Sequence, residues 1–185
     1  MGLLEIKKLG CETLKTVADP VADVSDDVRR LVDDMFETMY AAEGIGLAAP
    51  QVGVSQRIVV LDVSPSEPRF QPRALINPRY IWTAGEVVGE EGCLSLPGIA
   101  GDVKRAAQVR IEALDRAGDQ QMMEFDGMAA RAAQHEIDHL DGVLVLEHFS
   151  AIRRSLLRNQ LKKLRREGLK QGSGLVTVTV EALES

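Results

Sequence analysis

Gln134-His135-Glu136-Ile137-Asp138-His139-Leu140-Asp141-Gly142 is the stretch on which the reading of this chain turns. On a helix, residues four apart share a face, so His135 and His139 can converge on one cation. Glu136 lies about 100° round the helix from His135, close enough to reach a water at that cation without ligating it. The helix is expected to run from an Asp126 N-cap to Leu140, with Gly142 just past its end as the stop. A catalytic metal needs a third protein ligand and an open position. The extended metallopeptidase pattern would put a glycine three residues after His139 and a histidine three beyond it. Gly142 fits, but Val145 stands where that histidine belongs. His148 lies past the helix stop and is the weaker third ligand. Cys93 is the stronger, because in Glu91-Gly92-Cys93-Leu94-Ser95-Leu96-Pro97-Gly98 the flanking glycine lets a thiolate approach closely.

Upstream, Val28, Leu31, Val32, Met35, Phe36 and Met39 recur at helical spacing. Ser25 is a plausible N-cap, with Asp26 and Asp27 in the first turn, giving a helix over about 26–42. The middle of the chain is strand-like: Arg57 to Val63, then Ala74 to Ile76 and Tyr80 to Trp82 around Asn77-Pro78. Val103 to Asp115 and Gln121 to Phe125 follow, separated by an Arg-Ala-Gly-Asp turn. The pattern is antiparallel, with none of the strand–helix alternation of a parallel sheet. Downstream of Gly142, a helix is expected over about 150–167 with Ile152, Leu156, Leu161 and Leu164 as its apolar stripe. Gly168 to Gly174 reads as a flexible link, and Leu175 to Val180 has strand propensity.

The chain has 185 residues, 45% hydrophobic and 27% charged, which suits one domain able to bury a core. No apolar run approaches the roughly 20 residues of a membrane helix, and the N-terminus lacks the form of a secretory signal. Two cysteines, Cys11 and Cys93, fit a reducing compartment, so cytoplasm is the expected location. Ser150 to Lys170 carries eight cations against Glu167 alone, whereas the whole chain has a net charge of −6. An acidic body with one basic element points to an anionic partner for that element.

A third segment, Gly44-Ile45-Gly46-Leu47-Ala48-Ala49-Pro50-Gln51-Val52-Gly53, combines small residues with one amide donor, Gln51, and lacks the lysine of a phosphate loop. Together, Gly44 to Gln51, Glu91 to Ser95 and Gln134 to Gly142 resemble, in order, the three signature motifs of peptide deformylases. The resemblance covers about 1–167, taken as a single catalytic domain, and leaves 168–185 as an extension of unknown role. Gly10-Cys11-Glu12-Thr13 departs from the family by lacking its Pro-Asp there, which is expected to alter only a surface turn.

The resemblance implies an α+β fold with antiparallel sheets around the His-Glu-x-x-His helix. It implies Cys93, His135 and His139 as ligands of one divalent ion, natively Fe2+ with Zn2+ or Ni2+ accepted, and a water in the fourth position. Glu136 would activate that water for attack on the formyl group of N-formylmethionyl nascent peptides. The Gln51 amide and the Leu94 backbone N–H would stabilise the oxyanion. Gly44, Ile45, Gly46, Arg131 and Ala132 are the candidate substrate-binding residues, Arg131 contributing its methylene stem while its head reaches water. Glu91 and Arg105 are a candidate charge pair behind Cys93, and Asp138 is undecided between site and surface. The basic helix is expected to dock on the ribosome, with no sequence-specific nucleic-acid binding and no membrane partner. The rival readings are a small metallopeptidase on the same helix, and a non-catalytic metal protein with Cys11 or His148 as a fourth ligand.

Overall fold

Ser25 does cap the first helix: its Oγ accepts from the Val28 N–H at the start of α1 (Asp26–Ala41). The Val28, Val32, Met35 and Met39 face is buried. The computed structural model describes residues 2–171. It is α+β throughout, with seven strands in antiparallel pairings. These are β1 (Gly46–Ala48), β2 (Ile58–Leu61), β3 (Arg73–Ala84), β4 (Val87–Gly92), β5 (Ala100–Arg105), β6 (Gln108–Leu114) and β7 (Gln120–Asp126). Five form a sheet in the order β1-β2-β3-β6-β7, and β4 and β5 form a separate pair. The helix carrying the two histidines is α2 (Gly127–Leu140).

β2 explains the architecture. Ile58 and Val60 pack with α1, Leu47 and Ile76, while Val59 and Leu61 pack with Ala129, Ala130, Ala133, Ile137 and Leu140 of α2. Helices cover both faces at this point, so all four residues are fully buried and the strand reads as an unbroken apolar run. Alanines on α2 let its backbone come close to the sheet. At its end the Gly142 N–H donates to His139 O and the Val143 N–H to Asp138 O, with Gly142 at φ +72°, the left-handed closure expected of that glycine.

Two strand readings are corrected. The pieces at 74–76 and 80–82 are one strand, β3, bulged at Asn77. Asn77, at φ +53°, leaves the ladder, and its side-chain amide bonds both the N–H and the C=O of Val21. The Val103–Asp115 strand divides at Ala106 into β5 and β6, which belong to different sheets. There the Gln134 side chain on α2 accepts from Ala106 N–H and donates to Ala106 O, replacing the ladder partners the backbone would otherwise need. Cys11 and Thr13, expected in a surface turn, are buried together with Leu14, in and beside a short 3-10 helix, Glu12–Lys15.

The helix expected over about 150–167 is two: α3 (Ala151–Leu156) and α4 (Arg158–Lys170). The apolar stripe shifts accordingly. Leu157, Leu161 and Leu164 face the third core cluster with Leu9, Leu96, Ile99 and Phe149, while Ile152 and Leu156 are each 75% exposed. α4 also runs through Gly168, expected as the start of a link. A Cβ there would collide with Leu9 O, so glycine lets the helix lie directly on the N-terminal segment. Gln171 fastens that contact, accepting from Lys8 N–H and donating to Ile6 O. The strand expected over Leu175 to Val180 lies outside the described residues. Among the described residues, no helix is long and apolar enough to cross a membrane.

Candidate metal centre

α2 presents His135 and His139 one turn apart, their rings edge to face with centroids 5.1 Å apart. β4 delivers Cys93 just past its end, where the Leu96 N–H donates to Cys93 O and closes a turn. Cys93 Sγ then lies 3.2 Å from His139 Nε2, and one donor atom from each of Cys93, His135 and His139 falls within 4.8 Å of the others. Neither Cys11 nor His148 belongs to this group. Cys11 contacts Thr13, and His148 Nε2 is 2.7 Å from Asp138.

Glu91 orients the centre from behind. Its Oε2 is 2.9 Å from His135 Nδ1, which turns Nε2 of that ring towards the other donors. Arg105 binds the same carboxylate through Nε and Nη2, at 2.9 and 3.0 Å, and reaches Asp138 at 2.6 Å with Nη1. Asp138 is thus tied to the centre through Arg105. Burial opposes the charge on Glu91, but His135 and Arg105 outweigh it and hold the carboxyl at about 2. Losing one member of such a buried ionic cluster costs about 3–5 kcal/mol, because the partners remain buried and uncompensated.

Arg131 corrects an expectation. Its head does not reach water: Nη1 donates to Glu91 Oε1, Val103 O and Gly89 O, and Nη2 to Val87 O. The residue is buried and joins α2 to the β4–β5 pair. Its partner Glu91 is 40 residues away in sequence, so no local pattern points to this role. Sequence reasoning also missed Ser95, which is fully buried and 3.4 Å from Gln51 Nε2.

Gln51 sits in a 3-10 turn, Ala49–Val52. Its Oε1 accepts from Ala48 N–H at 2.7 Å, which leaves Nε2 pointing at the centre, 3.6 Å from Cys93 Sγ. Glu136 is 5% exposed, and its Oε2 has no hydrogen-bond partner among the described residues. Burial pushes its carboxyl up to about 7, His135 opposing this and Glu91 and Asp138 adding to it. Gly46 is required beside it, since a Cβ at that position would lie 2.5 Å from Glu136 Oε1.

These residues fit a divalent cation. One thiolate and two imidazoles suit iron, zinc or nickel. Burial, with the charges of His135 and Arg105, holds His139 well below its ordinary value, so that its ring keeps a free lone pair. Burial alone would lower His135 as well, but hydrogen bonds to Cys93 and Glu91 draw a proton onto it, where a cation would take the proton's place. Glu136 Oε2, buried without a partner among the described residues, is the kind of orphaned atom that a further group in the site completes.

A cavity of about 580 Å³ opens over the centre. It is lined by Gly44, Ile45, Gly46, Gln51, Cys93, Leu94, Arg131, Ala132, His135 and Glu136, so every candidate site residue borders it except His139. Two grooves of about 750 Å³ lie elsewhere and include none of these residues.

Comparison with known proteins gives a consistent picture. A family model described as polypeptide deformylase matches residues 3–155. A peptide deformylase of Alkalilimnicola ehrlichii is 51% identical over 168 residues, covering 91% of this chain and 94% of its own length. One from Thermodesulfovibrio yellowstonii is 48% identical over 162 residues, with 88% and 98% covered. Among solved structures, the peptide deformylase of Legionella pneumophila superposes with a TM-score of 0.82 at 38% identity, over 91% of this chain and 99% of that one. That of Thermus thermophilus gives 0.83 at 38% identity, over 90% and 99%.

Proposed function

The chain belongs to the polypeptide deformylase family, whose enzymes remove the N-formyl group from nascent peptides, and from that premise we propose how its residues divide the work. The observation that carries the assignment of roles is the clustering of Cys93, His135 and His139 donor atoms within 4.8 Å, beneath a cavity that is also lined by Gln51, with its amide aimed at the cluster, and by Glu136, whose Oε2 has no partner among the described residues.

Cys93, His135 and His139 hold the cation, natively Fe2+, with Zn2+ or Ni2+ able to take its place. When bound, it supplies Lewis acidity, polarising a carbonyl and making water acidic near neutral pH. Glu136 takes the proton of the attacking water at Oε2 and later gives it to the departing amine. Water adds to the formyl carbon, the C–N bond breaks, and formate and a free methionyl amine leave. Gln51 Nε2, held in place through Oε1, donates to the carbonyl oxygen as charge develops there, and the Leu94 backbone N–H is the second donor. Gly44 and Gly46 allow the peptide backbone to approach. Ile45, Ala132 and the methylene stem of Arg131 wall the methionine side chain.

Formate release from formyl-Met-Ala-Ser tests this directly. Activity is expected to vanish on chelation and return with ferrous or nickel ion, while the unformylated peptide remains intact. Hydrolysis of the unformylated peptide would favour the metallopeptidase, and formate release undiminished by a chelator that strips the metal would remove the metal from the mechanism.

We further propose a cytoplasmic enzyme with one catalytic domain over about 1–167 that meets its substrate at the ribosome through α3 and α4. Arg158, Lys162, Lys163, Arg165 and Arg166 are exposed, and none pairs with a carboxylate among the described residues. Arg153 and Arg154, the other two cations expected to dock, are partly committed, donating to Ala100 O and Glu147 O. Reversing Lys162, Arg165 and Arg166 to glutamate should abolish co-sedimentation with ribosomes, and binding by the unaltered protein should weaken steeply with salt. Hydrolysis of a short formyl peptide should change little. Binding that survives the reversal at moderate salt would reduce this surface to a solvated face.

A further inference from the structure

The last turn of α1 and the residue just past β2 are joined by a side-chain pair that none of the steps above uses. Tyr40 Oη donates to Asp62 Oδ2 at 2.8 Å, and Asp62 Oδ1 accepts from the Ser64 N–H at 2.9 Å. Asp62 is buried, and among the described residues no cation pairs with it. Burial opposes its charge, but the bonds from Ser64 and Tyr40 outweigh it and hold the carboxyl below its ordinary value. A buried carboxylate without a countercharge is costly, so these bonds are what compensates it.

Tyr40 and Asp62 stand at the two ends of the short link that walls one side of the cavity. Tyr40 O accepts from the Glu43 N–H and Met39 O from the Gly44 N–H, which closes α1. At the other end the Asp62 N–H donates to Ile45 O, one residue beyond the Gly46–Leu61 pair of the β1–β2 ladder. The link from 42 to 45 is therefore anchored at both ends, and the Tyr40–Asp62 bond clips those ends together. It does not hold its own shape: Glu43 has φ +55°, a left-handed conformation that residues other than glycine adopt at a penalty. Its placement is tight as well. A Cβ on Gly44 would lie 2.8 Å from Leu94 Cδ1, and Gly44, Ile45 and Gly46 all border the cavity.

We propose that Tyr40, clipped to Asp62, is a positioning residue that fixes the Ile45 wall and so sets how closely the site selects methionine as the first residue. This rests on the deformylase reading, in which Ile45 packs against the methionine side chain. Tyr40 does not border the cavity, so its effect passes through the link. A loosened wall loses contact with a long side chain that fills the pocket and costs a short one little. The metal ligands and Glu136 stand on other elements, so the effect falls on KM more than on kcat.

The test compares kcat/KM for formyl-Met-Ala-Ser and formyl-Ala-Ala-Ser. Tyr40→Phe removes only the hydroxyl and keeps the ring that stacks on Phe36, with centroids 6.1 Å apart. It is expected to lower the methionine-to-alanine ratio by about three- to tenfold, the range one lost hydrogen bond allows, mainly through a higher KM for the methionine peptide. Asp62→Ala should lower the ratio too, and adding Tyr40→Phe to it should lower it no further, since the two side chains act as one unit. Ser25→Ala is the control for stability alone. It removes the cap at the far end of the same helix and should lower Tm while leaving the ratio unchanged. An unchanged ratio in Tyr40→Phe overturns the proposal, as does an equal loss in Ser25→Ala or a further loss in the double variant. If the unaltered protein releases formate from neither peptide, the deformylase reading itself fails.

Discussion

Glu136→Gln is expected to lower kcat on formyl-Met-Ala-Ser by about 10²–10⁴ while leaving KM and metal content near those of the unaltered protein. The substitution is nearly isosteric, which matters here because Glu136 is buried and a Cβ at Gly46 would already collide with its carboxylate. Glutamine keeps an oxygen but cannot accept a proton from water at neutral pH. Because burial also favours the neutral carboxyl at this site, replacing it with an amide should be tolerated by the fold. The expected signature is thus a correctly folded, metal-replete protein that binds peptide and fails in the chemical step. Loss of metal from the variant would make Glu136 a ligand instead, and near-normal turnover would remove it from the proton transfers.

What can be read in the sequence divides by the distance over which the determining contact acts. The two histidines and Glu136 are set by one helical turn, and the helix stop follows from Gly142, both local; its start is not, since Asp126 makes no side-chain cap bond and Glu67, 61 residues away, accepts from the Met128 N–H. The α1 cap and its buried face are local in the same way. The bulge at Asn77 depends on Val21, and the parting of β5 from β6 depends on Gln134. Each is a side-chain amide that bonds both the N–H and the C=O of one residue far along the chain, and neither has a periodic signature. The same holds for Arg131, whose position one turn before His135 suggests a solvent-reaching head. Its actual partners come from β4 and β5. The basic segment differs from its sequence reading for a related reason. An apolar stripe at 152, 156, 161 and 164 fits one continuous helix, but the core recruits Leu157, and the helix divides there.

Cys93→Ala is expected to lose the metal together with the activity, a deeper defect than Glu136→Gln because it removes the cation and not only the base. Cys93 is the one sulfur donor in the centre, and the only member of the trio not supplied by α2. Without it two imidazoles from successive turns remain, and two neutral ligands offer the cation no charge. Loss of affinity should therefore exceed the roughly 10–100-fold that removing an outer partner of a ligand costs. Cys93→Ser keeps a smaller, harder donor and should retain metal only partly, so the series Cys, Ser, Ala should fall monotonically in metal content. Thiolate-to-metal absorption of the nickel-loaded enzyme offers a second readout, expected in the unaltered protein and absent from both variants. Cys11 is the control, since it lies beside Thr13 in the N-terminal core and Cys11→Ala should keep metal, absorption and turnover. Stoichiometric metal and formate release in Cys93→Ala would show that the centre is not held by the thiolate, and would remove the most distinctive of the proposed ligands.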